Sequence, residues 1–395
     1  MTRVLFITEN YPPDRGGMGE SCDRIVRGLT RAGVAVDVVH FDRKPGHAKS
    51  GAHVRIAVED DPAHTINLLW NRLQTELDLD ATTHVVAFGG LMPLLAAPAF
   101  AAWMARPLVT LLRGNELDAG LFDPRRRPIL DDALRRSSVV CTVTQSQAEK
   151  VAGLFPEIRP HVVGNGIDFD LWQATDGDRK RAAAWRAQNV DPSRRVLGLF
   201  GHLKVKKGVA FFVESLIRSG LADRFHLLLV GEIDPTLLET FAPVAVTHVQ
   251  TVDRFELIPF YLASDFVVVP SHYDGFPNVM IEAMALGRPL IASNTGGMRD
   301  VLTHEENALI FAPGDAHTCR DAIARAAAMR DDDLQRMGAS AAALARFRCD
   351  ANEEMRKYTV ILSEAKDLFD AAARRRGPSS SVRLRMTAGG IPCED

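Results

Sequence analysis

Two carboxylates and a helix start stand close together between Pro270 and Ser293, in the stretch PSHYDGFPNVMIEAMALGRPLIAS. Asp274 lies in a loop carrying Gly275 and Pro277, after a short apolar run, Phe266 to Val269, of the kind that forms a strand buried on both faces. Glu282 falls one turn into a run from Asn278 to Leu286 that suits a helix, which Gly287 should stop before a second buried strand, Leu290 to Ser293. The first-turn N–H groups of such a helix have no partner within it. Free amides flanked by two carboxylates suit a ligand rich in hydroxyls and phosphate, since amides donate and carboxylates accept. The same residues fit an N-capped helix with one satisfied glutamate equally well.

A second cluster has a clearer charge logic. The loop GHLKVKKG after the apolar run Val196 to Phe200 leads into a helix at Val209, so lysines add positive charge at a helix N-terminus. Lysines simply exposed to solvent are the plain alternative. Near the start, Gly16 and Gly17 sit in ENYPPDRGGMGE, where they would let the backbone approach a ligand or simply make a flexible turn. RGNELD offers Arg113 for an anionic or hydroxylated group and Glu116 or Asp118 for an acceptor hydroxyl, or else a charged loop at the domain edge.

The elements that must position these groups alternate as strand and helix. Val4 to Thr8, a helix from about Ser21 to Ala32, and Val34 to His40 read as a βαβ opening without the GxGxxG of a dinucleotide site. Pro107 to Leu112 and Val139 to Val143 add buried strands, and Phe225 to Val230, Val244 to Val252 and a helix Phe255 to Ser264 continue the pattern. Val85 to Ala105 is uncharged and long enough to span a bilayer, but two glycines, two prolines and many alanines fit a strand end, a loop and a buried helix better. The polar stretch 173–195 marks a linker between two α/β halves.

Length and composition agree. A chain of 395 residues suits two domains, and 46% apolar with 25% charged residues is ordinary for a globular protein. A net charge of -3 gives no basis for nucleic-acid binding and at most peripheral membrane contact. Arg125 to Arg127 with Arg135 and Arg136 form a local basic cluster, either a solvated face or a contact for an acidic acceptor or phospholipid. The five scattered cysteines include no CxxC pair, which argues against a zinc site and for a reducing, cytoplasmic setting. No signal peptide is visible, and no metal is expected.

The spacing of Asp274 and Glu282 within DGFPNVMIEAMALGRPLIAS, followed by NTGG (Asn294 to Gly297), resembles the signature of family 4 glycosyltransferases with the GT-B fold. The resemblance extends in weaker form over roughly residues 3 to 370 and takes in NGID (Asn165 to Asp168). It implies two Rossmann-like, doubly wound domains facing across a cleft: 1–172 for the acceptor, 196–349 for the nucleotide sugar. Helix 350–375 would cross back onto the first domain, leaving a disordered tail, 376–395. It further implies that Gly16, Gly17, His202 and Lys207 meet the donor diphosphate. Asp274, Gly275, Phe276, Pro277 and Asn278 would hold the donor sugar, Glu282 the ribose, and backbone around Thr251 and Val252 the base. Arg113, Asn115, Glu116 and Asp118 are then the acceptor-side candidates.

Three positions depart from the family pattern. The first acid is normally Glu and is Asp274 here, an arginine expected after Gly201 is His202, and a histidine expected near the reaction centre is Arg113. The resemblance implies a retaining transfer of a hexosyl-type sugar from a UDP, GDP or similar donor, without a cofactor. The acceptor remains open among a small molecule, a lipid and a glycan. The alternatives are a catalytically weak sugar-nucleotide-binding partner, marked by binding without turnover, and a sugar-nucleotide epimerase; no pyridoxal-lysine signature supports a phosphorylase.

Overall fold

The computed structural model describes residues 1–12, 16–42, 53–114, 116–250 and 252–376, except the side chains of residues 53, 254, 255 and 376. Asn115, Thr251 and the tail beyond Arg376 therefore lie outside the described residues. Among the described residues the strands form two sheets, of seven and six strands, and every paired neighbour runs parallel.

The first sheet contains β1 (Arg3–Thr8), β2 (Ala35–Asp42), β3 (His53–Ala57), β4 (His84–Phe88), β5 (Leu108–Leu112), β6 (Val139–Thr142) and β7 (His161–Val162). Their spatial order is β3-β2-β1-β4-β5-β6-β7. Helices α1 (Gly17–Arg31), α2 (Pro62–Glu76), α3 (Leu91–Met104), α4 (Glu116–Phe122), α5 (Arg127–Arg136) and α6 (Gln145–Leu154) connect them. β1, β4, β5 and β6 are apolar runs buried almost throughout, as strands covered on both faces must be. The uncharged stretch 85–105 becomes β4, a glycine turn and α3, whose 14 residues are too few to cross a bilayer. Among the described residues, no helix is long and apolar enough to do so.

The second half begins with α7 (Asp176–Asn189) and the sheet β8 (Arg195–Phe200), β9 (Phe225–Val230), β10 (Ala245–Val249), β11 (Phe266–Val269), β12 (Leu290–Ser293) and β13 (Ala308–Phe311). The strand order is β10-β9-β8-β11-β12-β13. Its helices are α8 (Val209–Arg218), α9 (Pro235–Leu238), α10 (Arg254–Ala263), α11 (Asn278–Ala285), α12 (Gly296–Val301), α13 (Ala316–Ala328) and α14 (Asp331–Arg348). In both sheets the order turns back beside the first strand, so β1/β4 and β8/β11 are the switch points where ligand crevices open.

One expected linker is an element of this half. Thr175 and Asp178 form a capping box that starts α7, and Trp185 then packs edge-on to Phe260 at 6.1 Å. Polarity misled because α7 buries only a narrow stripe.

The last helix, α15 (Ala351–Arg376), crosses back onto the first half. Met355, Tyr358, Ile361, Leu362 and Ala365 join the core between α1 and the first sheet. The approach is close enough that a Cβ on Gly28 of α1 would sit 2.4 Å from the Met355 sulfur. Where the chain changes halves, Ile167 N donates to Cys349 O at 2.7 Å and Ala351 N donates to Ile167 O at 3.1 Å. The outgoing and returning segments are thus hydrogen-bonded side by side.

Candidate active site

β11 ends at Val269 and hands the chain to the loop bearing Asp274. One Asp274 oxygen accepts from its neighbour's amide, Gly275 N, at 3.0 Å; the other takes Ser271 Oγ at 3.3 Å and Lys207 Nζ at 2.5 Å. Lys207 reaches it from a short 3₁₀ turn, Val205–Lys207, after β8. Gly208 ends that turn at φ 67°, where a Cβ would lie only 2.0 Å from Pro270 O, so the two loops touch through backbone. The pair is 28% and 14% exposed, screened but open to the cleft. Neighbouring Lys206 has its pKa lowered by burial.

NTGG has a concrete role here. Gly297 N donates to Gly275 O at 2.6 Å, and a Cβ on Gly297 would lie 2.6 Å from the Phe276 ring. A Cβ on Gly296 would meet Asp274 O at 2.0 Å. The two glycines are the seat of the Asp274 loop.

α11 starts at Asn278 behind Pro277, with no side-chain cap. Of the alternative reading, an N-capped helix with one satisfied glutamate, the side-chain cap is absent and the satisfied glutamate is present. Four residues on, Glu282 accepts from Tyr261 OH at 2.6 Å. Tyr261 is fully buried and stacked on Phe200 at 3.9 Å, which fixes that carboxylate. Glu282 also lines a cavity of about 40 Å³ with Trp172, Arg24 and Glu20. β10 ends at Val249, short of the expected Val252, which packs partly buried against the second core.

Across the cleft, α1 begins at Gly17, four residues before the expected Ser21. Gly16, its N-cap, has φ 131°, and a Cβ there would lie 3.9 Å from His202 Nε2. Gly17 O accepts from Asn278 Nδ2 at 3.0 Å. The glycine pair therefore faces both loops of the second half and is not a loose turn. His202 pairs its other nitrogen, Nδ1, with Glu232 Oε2 at 2.9 Å.

The acceptor-side candidates divide. Arg113 is corrected: its side chain is 1% exposed and its guanidinium is already bound within the protein, so it does not stand free to clamp an acceptor. Nη1 donates to Gly164 O, Glu354 Oε1 and Tyr358 OH, and Nη2 to Asn165 Oδ1. Glu116 accepts from Gly114 N at 2.7 Å beside Gly89, and burial pushes its pKa above the usual carboxylate range. Asp118 pairs with Lys150 of α6 at 2.5 Å.

The basic cluster is also less basic than it reads. Arg126 pairs with Asp123, Arg127 with Asp131, Arg136 with Asp132 and Arg135 with Glu157. Three of the five arginines thus pair with an acid one helical turn away. Glu354 and Arg24 were missed because their partners lie far along the chain and no local spacing announces them; Ser271 was missed although its partner, Asp274, is only three residues on.

The profile described as Glycosyltransferase Family 4 matches residues 15–171, and that described as Glycosyl transferases group 1 matches residues 194–329. An uncharacterized glycosyltransferase of Methanocaldococcus jannaschii is 25% identical over 343 residues, 79% of this chain and 85% of that one. The lipopolysaccharide core biosynthesis mannosyltransferase LpsB of Rhizobium meliloti is 30% identical over 199 residues, 47% of this chain and 54% of that one. The crystal structure of Anabaena HepE in complex with UDP-glucose superposes with a TM-score of 0.74 at 18% identity, covering 92% of this chain and 100% of that one.

Proposed function

Because this chain belongs to the family 4 glycosyltransferases and has their GT-B fold, we propose that it moves a hexosyl-type sugar from a nucleoside-diphosphate sugar to an acceptor hydroxyl with retention at the anomeric carbon. The observation that carries this reading is the Lys207–Asp274 pair, held at the strand ends between uncapped α11 and the Gly16–Gly17 backbone. As the bond from the anomeric carbon to the diphosphate breaks, negative charge grows on the leaving oxygen. Lys207 and the glycine-loop amides stabilise it. Asp274 accepts from a sugar hydroxyl, the first-turn amides of α11 donate to the same sugar, and Glu282 accepts from the ribose. The acceptor oxygen attacks on the face the diphosphate leaves, and its proton passes to the leaving phosphate. HepE, solved with UDP-glucose, supports a nucleoside-diphosphate-sugar donor.

The test is a thermal-shift screen of UDP, GDP, ADP and dTDP with their sugar conjugates, on wild type and Lys207→Ala. One diphosphate should stabilise the wild type and not the variant. No response to any of them would sink the proposal. Sugar transfer should persist in EDTA, because Lys207 and backbone amides take the part a metal would play; loss restored by Mg²⁺ would overturn that point.

A further inference from the structure

Asn165 touches the donor loops on one side and a buried charge cluster on the other, and it is only 4% exposed. Its Oδ1 accepts from Arg24 Nη2 and Arg113 Nη2, each at 2.7 Å. Both guanidiniums are held by Glu354 of α15, whose Oε2 takes Arg24 at 2.8 Å and whose Oε1 takes Arg113 at 3.0 Å. Gly166 N donates to the same carboxylate at 2.9 Å. The Arg24 and Glu354 side chains are 13% and 2% exposed, so the cluster is largely cut off from water.

Two cations on one side of a carboxamide decide which end is oxygen. The NH₂ end must then face the second half, where it donates to Phe276 O at 3.0 Å and to Asn278 Oδ1 at 2.7 Å. That fixes Asn278 in turn, so its Nδ2 points to Gly17 O at 3.0 Å. A directed series of bonds thus runs from α15 through Asn165 and Asn278 to the glycine loop. A carboxamide is the side chain of this size that accepts from two arginines and donates to two oxygens.

We propose that Asn165 is a positioning residue for the transfer reaction. Through it the Arg24–Glu354–Arg113 cluster sets the Phe276–Asn278 loop against Gly17, so that both halves meet one donor. Its role in turnover rests on the donor-site reading above; its role in holding the halves together does not. A cleft whose two walls are pre-aligned lowers the barrier by orientation, so the effect belongs in kcat more than in nucleotide affinity.

Asn165→Asp is the discriminating variant. It keeps an oxygen toward both arginines, and it replaces the donating NH₂ by an oxygen facing two oxygens. Asn165→Ala, by contrast, leaves the arginines short of a partner and should lower the thermal midpoint. For Asn165→Asp we expect a midpoint near that of wild type and a larger radius of gyration by small-angle X-ray scattering. Donor-sugar hydrolysis should slow by at least about tenfold, and the midpoint shift given by the diphosphate found in the screen should be retained. An unchanged radius of gyration in Asn165→Asp overturns the proposal, whether or not any diphosphate binds. So does a midpoint as low as that of Asn165→Ala, which would mean a purely structural role. If wild type binds no diphosphate but Asn165→Asp still expands, the donor reading fails and the clasp stands.

Discussion

At the scale of single residues, what matters at the cleft is which side chains are already committed to partners. Asp274, one methylene shorter than the glutamate the family normally carries, is held by Lys207, Ser271 and Gly275 N. Removing its charge should free Lys207 and weaken the acceptor offered to the proposed donor sugar. Asp274→Asn should therefore slow transfer by about a hundredfold, roughly 2.7 kcal/mol of barrier, with little change in unfolding midpoint. Steady-state rates and a melting curve on the same preparation check this. Gly297→Ala makes a steric prediction: the Phe276 ring occupies the space of the new Cβ, so the Asp274 loop must shift. Activity should fall while both sheets, read by far-ultraviolet circular dichroism, stay intact.

At the scale of elements, α15 has two devices tying it to the first half. Glu354 is fully buried between Arg24 and Arg113, whose proximity holds its carboxylate below the usual range against the opposing effect of burial. Breaking a buried pair from one side leaves charge uncompensated, so Glu354→Ala should cost about 3–5 kcal/mol in urea unfolding. The second device is His84 of β4, whose Nε2 donates to Leu362 O of α15 at 2.8 Å. Burial holds His84 below its ordinary value of 6.5, as it does His226 of β9. A histidine with a lowered folded pKa takes up its proton more readily when unfolded. Its contribution is therefore intact above pH 6.5 and is lost as pH falls from there toward the folded value. The melting midpoint should drop on acidification below that point, and His84→Gln should flatten the dependence. A variant as steep as wild type would acquit His84.

At the scale of the whole molecule, hydrogen bonds among the described residues join the two halves at several places. Asn165 reaches Phe276, Asn278 reaches Gly17, and on α12 Asp300 accepts from Gln145 N at the start of α6, at 2.7 Å. The last lies at a helix N-terminus, where a carboxylate is favoured, although burial raises the Asp300 pKa. Asp300→Ala should widen the cleft in scattering profiles without affecting diphosphate binding by the second half. An unchanged profile would show that the contact is incidental.

Much of this was legible in the chain and some was not, for a physical reason. β11, β12 and the start of α11 follow from apolar runs and punctuation by glycine and proline, since a strand covered on both faces needs a short continuous apolar run. The acid pair, NTGG and Lys207 were visible because each lies in a short local pattern that resembles the family's, although the contact of Lys207 with Asp274 spans 67 residues. Arg113 was misread because its partners, Glu354 and Tyr358, lie more than two hundred residues away, and only the return of α15 brings them near. Stretch 173–195 was misread because one buried stripe suffices to dock a helix whose other faces are charged. Sequence by itself determined the two α/β halves and the groups that stand at their strand ends, which depend on neighbours in the chain. Which of those groups face the cleft, and which are locked into the clasp, depended on how the halves and α15 pack, and the tertiary structure decided it.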